Sequence, residues 1–439
     1  MNYSLGNMLS RGGALNPYGL SLDLAFAADK TLTARKGPTP TFTRASTATF
    51  VGSNGLIQSA AINAPRFDHD PVTLACKGLL IEESRTNFVN RSESIANPYW
   101  NAFATATAVD NITTSPIGLS NSASRMTAIS GISNQRQRVA VFTLTSGSSA
   151  RTASVFLKAD NNGFGFLSLD FNKSGVGTVR SSQVRLNLSN GSAVQTGTIT
   201  GFSYIVTPYT NGWYRVAISA TSAASLTVED QVVIIFGLSF DASGASGTFT
   251  GTETVYVWGA QLEEGLFPTS YIPTAAASVV RSADVCSITG SDFTGIYNGL
   301  EGTIISDGSI ASIAGNNRGM WAINNNTSAH GFLTYYDVTA AGISSQSRNT
   351  GSTTLTPNFL NSANTLFKRA LAYRTGQASI CTNGSSVTTT NVTISTQTML
   401  TLQVGNMLAG SFYWSGHIAR IQYFKKRLPD AKLQSLTTP

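Results

Sequence analysis

Short apolar runs that repeat every two residues dominate this chain, and they constrain its fold more than any other feature. The runs are rich in β-branched and aromatic residues, and Gly, Asn, Ser or Pro separates them. Period-two alternation places successive side chains on opposite faces of a strand, whereas helical periodicity is nearly absent. We therefore predict an all-β protein built from sandwiches or barrels. The clearest runs are ASVFLKA (153–159), FGFLSLDF (164–171), GWYRVAISA (212–220), QVVIIFGLSF (231–240) and TVYVWGAQLE (254–263).

Chain length and composition agree with several such domains. The 439 residues exceed one ordinary domain, and only 12% of them are charged, against an average near 25%. This composition favours an extracellular or virion-type protein over a cytosolic helical enzyme. The formal net charge of +7 is a thin excess over this length. Basic residues are scattered, apart from Lys425, Lys426 and Arg427, so we predict no nucleic-acid partner.

The sequence gives little indication of a cysteine-based site or of a segment that enters a membrane. Cys76, Cys286 and Cys381 are far apart and lack CxxC spacing, which predicts neither a disulfide framework nor a zinc site. The opening MNYSLGNMLSRGG has no cationic segment followed by an apolar core, and no stretch approaches the roughly 20 apolar residues of a membrane span. We expect a protein that is made in the cytoplasm, leaves it without secretion and does not insert into a membrane.

Differences in Pro and Gly content and in the density of predicted strands divide the chain into three predicted regions. Residues 1–90 are rich in Pro and Gly, which predicts short hairpins and arms that dock on the next module or on a partner. Residues 91–280 hold the strand-rich block and end at FPTSYIPT, whose prolines stop a strand. Residues 290–439 are again strands, with TG and NG dipeptides that favour hairpins. Their last segment, PDAKLQSL, predicts one short helix.

One segment, PRFDHDP at residues 65–71, concentrates ionisable groups and leaves three roles open: a cation site, an acid/base pair or a structural turn. A metal of the N/O type needs three or four converging ligands, and the chain has only three histidines. A nucleophile would need a serine elbow or similar context, which the sequence lacks. We favour a structural turn, formed by Arg66, Asp68, His69 and Asp70, in which the aspartates accept from turn amides or pair with arginines. The arginines considered are Arg66, Arg44 and Arg85.

Adjacent carboxylates elsewhere do not form a glycosidase pair. Glu82 and Glu83, like Glu263 and Glu264, are neighbours in predicted strands and so point to opposite faces. We expect one of Glu82 and Glu83 to pair with Arg85 or a neighbouring arginine. Carboxylates that are distant in sequence can still converge, so a glycan depolymerase remains an alternative, although the repeat of a solenoid is missing.

Three segments of the first region resemble a known module. They resemble the N-terminal module of bacteriophage tail-fibre and head-fibre proteins, and their sequences are TFTRASTATFVGSNGLIQSA, PRFDHDP and GLLIEESRTN.

The later regions resemble other modules. NGWYRVAIS and VYVWGAQLEEGLFPTSYIPT resemble a jelly-roll module of the carbohydrate-binding type. FKRALAYRTGQASICTNGSSV and GHIARIQYFKKRLPDAKLQSLT are similar to concanavalin-like or laminin-G-like sandwiches.

The order of these modules implies a non-enzymatic virion fibre, spike or adhesin that is assembled in the host cytoplasm and needs no cofactor. Residues 1–90 would be the virion-anchoring module, which binds capsid, portal or tail proteins. Residues 91–280 would be a jelly roll and residues 290–439 a second antiparallel sandwich. Analogy with fibres implies a homotrimer. The alternatives are a capsid decoration or cement protein without sugar binding, and the depolymerase.

Sandwich modules of this kind imply binding of host-surface glycans, for which exposed aromatic rings are the expected platform. Trp213 and Trp258 lie in strongly apolar runs and are predicted core residues. Trp321, Tyr335 and Tyr336 have polar neighbours and are the predicted carbohydrate-binding surface. No metal ligand set is predicted. A lectin-type cation site stays open without a confirming spacing for three residues: Asp307, Asp337 and Asn383.

Overall fold

The structure confirms the predicted fold class, because strands dominate and the chain forms antiparallel sandwiches. It is a computed structural model that describes residues 17–100, 105–132, 135–138, 142–241, 247–350, 352–360, 362–407 and 411–439. Within these ranges every strand pair of the sheets is antiparallel. None of the helices described there is long and apolar enough to cross a membrane.

Residues 17–90 contribute short strands and one helical turn. In chain order these are β1 (Leu20–Leu24), α1 (Phe26–Asp29), β2 (Thr41–Thr43), β3 (Ala48–Val51), β4 (Ile57–Ala60), β5 (Phe67–His69), β6 (Cys76–Ile81) and β7 (Arg85–Asn87).

The central part of the chain contributes longer strands. These are β8 (Ala106–Thr113), β9 (Ala123–Ala128), β10 (Gln135–Arg138), β11 (Phe142–Thr143), β12 (Ala150–Ala159), β13 (Phe164–Lys173), β14 (Gly177–Asn187), β15 (Ala193–Gly197), β16 (Ser203–Pro208), β17 (Trp213–Thr221), β18 (Gln231–Leu238) and β19 (Thr254–Glu264).

The last part contains the remaining strands and two short helices, of which α3 confirms the predicted PDAKLQSL helix. The elements are β20 (Val279–Arg281), β21 (Val285–Thr289), α2 (Gly290–Ile296), β22 (Glu301–Ile310), β23 (Arg318–Asn324), β24 (His330–Asp337), β25 (Gly342–Asn349), β26 (Ser352–Leu360), β27 (Phe367–Arg374), β28 (Gln377–Thr382), β29 (Thr388–Asn391), β30 (Thr401–Val404), β31 (Gly416–Phe424) and α3 (Asp430–Thr437).

The middle sandwich consists of two sheets formed by β8–β19. One sheet has the order β10-β18-β13-β14-β15, with β11 also paired to β18, and the other has the order β16-β17-β12-β19-β9-β8. Alternation along β12 explains the packing: Val155 and Leu157 face the core between the sheets, while Phe156 lies on the opposite face. There Phe156 packs with Trp213 and Trp258, so the prediction that both tryptophans are core residues is confirmed.

The outer sandwich joins both ends of the chain. Its larger sheet has the order β29-β28-β27-β22-β31-β6-β5, with β1 also paired to β31. Its second sheet has the order β2-β21-β30-β23-β24-β25-β26. Apolar side chains from both sheets form one core, which includes Leu22 of β1, Leu79 of β6 and Ile418 of β31.

This topology corrects the predicted N-terminal module of residues 1–90. Strands β1, β5 and β6 belong to the larger sheet of the outer sandwich, and β2 belongs to the other, so the described part of this segment completes a sandwich from the far end of the chain. Its short strands supply too little apolar surface for a core of their own. Residues 1–16 lie outside the described residues. The middle sandwich is therefore an insertion, and β7 pairs with β20 where the chain leaves and returns.

A buried ion network fixes this junction. Asp284 accepts hydrogen bonds from Arg44 Nη1 at 3.1 Å and from Arg66 Nη2, and it forms ion pairs with both. Glu82 accepts from Arg66 Nη1 at 2.7 Å and from the Ser270 amide at 2.7 Å, which connects the network to the middle sandwich. Burial opposes ionisation of Glu82, but Arg281 and Arg66 outweigh it and hold its pKa well below the usual range.

Replacing Asp284 with Asn should lower the free energy of unfolding by about 3–5 kcal/mol, because Arg44 and Arg66 lose their shared carboxylate in a buried site. Urea denaturation measures the change. Asp430→Asn is the matched control, because its pair with Arg427 lies at the surface and should contribute less than about 1 kcal/mol. Equal losses in the two variants would contradict a structural role for the network.

Candidate functional site

Two clefts open where the sandwiches meet. The first, which we call the His417 cleft, has a volume of about 170 Å³. Its ionisable lining residues are Asp68, Lys77, Glu82 and His417 on the side of the outer sandwich and Tyr209, Arg215 and Tyr271 on the side of the middle one. The PRFDHDP segment therefore faces a cleft, although the residues that meet it come from distant parts of the chain.

The four residues of the predicted structural turn divide between three environments. Arg66 enters the buried ion network and does not pair with the neighbouring aspartates. Asp70 accepts from the amides of Val72 and Thr73 at 3.0 and 2.8 Å, as an aspartate in a turn does. His69 is buried, with Nδ1 at 3.2 Å from the carbonyl of Val51.

Asp68 contacts two other ionisable side chains, His417 and Lys77. Its carboxylate accepts from the Val51 amide at 2.6 Å and lies 2.8 Å from His417 Nε2 and 3.3 Å from Lys77 Nζ. Burial lowers the pKa of His417 and outweighs the attraction of Asp68, so the imidazole is neutral at pH 7 and donates its Nε2–H. Sequence reasoning missed His417, because no local pattern connects it to a segment 349 residues away.

This Asp–His pair lacks the third member of a nucleophilic triad. His417 Nδ1 is buried and has no hydrogen-bond partner within the described ranges, so no hydroxyl or thiol there is positioned for deprotonation. Burial also raises the pKa of Tyr209 to about 12, which leaves that phenol neutral. The described residues contain no group of three His, Cys, Asp or Glu side chains that could hold a metal ion. The arrangement supports a structural role for Asp68 and His417.

The predicted carbohydrate-binding residues are not exposed. The relative exposures of Trp321, Tyr335 and Tyr336 are 1%, 3% and 2%, so protein atoms cover the rings that would have stacked on a sugar. Trp321 Nε1 donates to Ser306 Oγ at 3.1 Å, across the two sheets. Tyr335 donates to Asp337 at 3.0 Å. The expectation of an exposed carbohydrate-binding surface at these residues is thus corrected. The polar residues near them in sequence lie at the ends of β23 and β24 and in the loops that follow.

The three residues considered for a lectin-type cation site lie in different places. Asp307 is on β22 of the larger sheet, and burial raises its pKa to about 6. Asp337 ends β24 in the other sheet and accepts from the amides of Thr339 and Ala340. Asn383 accepts from the Lys368 amide at 2.8 Å in a tight turn.

The second cleft, which we call the Phe412 cleft, is larger, at about 410 Å³. The middle sandwich contributes Phe267 and the backbone around Gly265, and the junction at β7 together with the outer sandwich contributes charged, amide and aromatic side chains. The latter are Glu83, Arg85, Asn316, Asn317, Arg318, Phe412 and Tyr413.

Two guanidinium groups pack on one aromatic ring inside the Phe412 cleft. The Cζ atoms of Arg85 and Arg318 lie 4.7 and 4.3 Å from the centroid of Phe267, within the range of a cation–π interaction. Arg85 also forms an ion pair with Glu83. Gly265, with φ +111°, makes this packing possible, because a Cβ atom there would collide with the Arg85 guanidinium.

Phe412 presents an exposed ring at this cleft. Its relative exposure is 45%, and its φ of +54° is uncommon for a residue with a bulky side chain. The carbonyl of Phe412 accepts from the Gly319 amide at 2.7 Å, which ties its loop to the strand that begins at Arg318. The Phe412 ring is thus an exposed apolar surface beside the polar side chains of the cleft.

Sequence reasoning missed every side chain of the Phe412 cleft as a binding residue. The nearest signal is the doublet of Phe412 and Tyr413 between Ser411 and the buried Trp414, a cluster of aromatic residues that does not alternate like a strand.

Comparisons with known proteins give weak structural similarities. No protein-family model and no curated protein sequence matches the chain. A carbohydrate-binding module, the CBM40 of the Ruminococcus gnavus IT-sialidase bound to α2,3 sialyllactose, is 20% identical over 35% of this chain and 96% of its own, with a TM-score of 0.30. The SAP-like pentraxin of Limulus polyphemus is 12% identical over 30% and 68%, with a TM-score of 0.24. Domains LG4-5 of the mouse laminin α1 chain are 12% identical over 66% and 87%, also with a TM-score of 0.24.

Lowering the pH from 7.5 to 5.5 should destabilise the protein through His417. Because burial depresses the pKa of His417 below about 6.5, the unfolded chain takes up a proton in this range more readily than the folded protein. The stability contributed by the neutral imidazole is complete above the unfolded pKa and is lost as the pH falls toward the folded pKa.

Urea midpoints at pH 7.5, 6.5 and 5.5 for the wild type and His417→Gln test this dependence. Gln retains a donor for Asp68 but does not titrate, whereas Asp307, whose raised pKa gives the opposite dependence, is present in both proteins. The wild-type midpoint should therefore fall relative to that of the variant as the pH decreases. Equal slopes in the two proteins would show that His417 is not the titrating group.

Proposed function

We propose that the protein is a non-enzymatic glycan-binding component of a virion and that the Phe412 cleft is its binding site. The observation that carries the proposal is the exposed Phe412 ring beside planar polar groups in a cleft of about 410 Å³. Apolar ring faces pack on the C–H face of a pyranose, and amide or guanidinium groups donate to its hydroxyls. Asn316 and Asn317 supply the amides, and Arg318 supplies the guanidinium.

The charges in the cleft favour binding over hydrolysis. Glycoside hydrolysis uses two carboxyl groups on either side of the scissile bond. Among the described residues that line the Phe412 cleft, Glu83 is the only carboxylate, and Arg85 engages it at 2.9 Å through Nε. The depolymerase alternative therefore has no support from this cleft.

The resemblance of the PRFDHDP and GLLIEESRTN segments to phage fibre modules supports the virion part of the proposal. We propose that attachment to capsid, portal or tail proteins uses the N-terminal region together with the outer sandwich that it completes, in a homotrimer. A cement protein that lies flat on the capsid and binds no sugar is the second candidate.

Replacing Phe412 with Ala should lower glycan affinity at least about tenfold, because the sugar loses its stacking platform. A glycan array followed by calorimetry with the strongest ligand measures the effect. Phe240→Ala is the matched control, since Phe240 is also 45% exposed but belongs to the middle sandwich away from the cleft. Both variants should retain the wild-type melting temperature. Unchanged glycan affinity in Phe412→Ala would remove the cleft as the site.

Cryo-EM of the intact particle tests the virion part separately. We expect density for the outer sandwich at the particle surface, with the middle sandwich pointing outward. Sandwiches lying flat between capsomers would favour the cement protein, and absence of the protein from purified particles would refute a virion role.

A further inference from the structure

We infer that the Phe412 cleft selects acidic sugars and that Arg318 binds the sugar carboxylate. This inference rests on the proposed function and adds the chemical class of the ligand. At this cleft the fold holds a buried cation, Arg318, that no carboxylate of the described residues reaches within ion-pair distance.

Arg318 has no carboxylate partner within the described ranges. Its Nη1 and Nη2 donate to the backbone carbonyls of Ser312 at 3.3 Å and Ala314 at 2.6 Å, and it forms no ion pair there. Its relative exposure is only 6%. Burial lowers its pKa to about 10, which still leaves the guanidinium charged at neutral pH. By contrast, the buried Arg44 and Arg66 both reach the carboxylate of Asp284.

The cleft as a whole carries an excess of positive charge. Arg85 and Arg318 share the ring of Phe267, and among the described residues that line the cleft Glu83 alone carries a negative charge, which forms an ion pair with Arg85 and also attracts Arg318. Two cations on one ring repel each other, and their burial screens that repulsion less than bulk water does. An anionic ligand group would supply the missing counter-charge, so the arrangement is suited to receive one.

The shape of the site favours a carboxylate on a sugar over a simple anion. A guanidinium is a planar fork that matches a carboxylate with two parallel hydrogen bonds. Asn317 Oδ1 already accepts from the Val338 amide at 2.9 Å, which leaves its amide N–H groups to donate to hydroxyls. The exposed Phe412 ring adds a platform for the pyranose face. Together these groups would contact the carboxylate, the hydroxyls and the ring face of one sugar residue.

Matched acidic and neutral ligands test the inference. The probes are oligosaccharides of galacturonic, glucuronic and sialic acid, each compared with its methyl ester, and calorimetry at low and high salt measures their affinities. We expect the wild type to bind at least one free acid about tenfold or more tightly than its ester. Arg318→Gln should remove this preference, so that the free acid and its ester bind the variant with the same affinity.

Two further variants separate charge from geometry. Arg318→Lys retains the charge but loses the planar fork, so it should keep only part of the preference. Arg374→Gln removes one positive charge from the exposed end of β27 and should behave like the wild type. Melting temperatures establish that each variant is folded.

Each result decides between the two proposals. Binding of acids and esters with equal affinity would overturn the inference and leave glycan binding intact. A preference for acids that survives in Arg318→Gln would also overturn it, because the carboxylate would then bind elsewhere. Failure to bind any glycan, on the array or in solution, would overturn the proposed function and the inference together.

Discussion

The carboxylate of Asp284, buried where the two sandwiches meet, is the interaction on which the rest of the structure depends. Through Arg44, Arg66 and Glu82 it joins the N-terminal segment, the strand that returns from the insertion and the end of the middle sandwich. Buried charges of this kind favour one arrangement, because any shift leaves an ion without its partner. Both clefts lie along this junction, and the network connects the two sandwiches that line them.

Local pattern predicted the elements of this fold but not their partners. The alternation in 153–159 and 254–263 identified β12 and β19, and the PDAKLQSL segment identified α3. Nothing in the sequence around Leu20–Leu24 specifies that this strand pairs with β31, because a strand's pattern encodes which face is apolar and not which neighbour covers its edge. The first region therefore looked like a separate module.

The binding residues were harder to predict for a related reason. The exposure of a side chain depends on whether the other sheet or a loop covers it. Trp321 is therefore buried although its neighbours in sequence are polar, whereas Phe412 is exposed although the nearby Trp414 is buried. Arg318 begins a strand and gives no local sign that it lacks a counter-charge. The PRFDHDP segment was easier, since Asp70 satisfies the amides of its own turn, but the contact of Asp68 with His417 required the tertiary structure.

The pairing of β1 with β31 has a consequence for synthesis of the protein. Ser21 and Tyr423, which meet in this pairing, are separated by 402 residues. At about 5–20 residues per second, a ribosome needs roughly 20–80 s to make the second strand after the first has emerged. The middle sandwich can close during this interval, whereas β1 waits with an unpaired edge. Nascent chains thus expose the unpaired edge of β1 until β31 has been made, and the outer sandwich forms after the middle one.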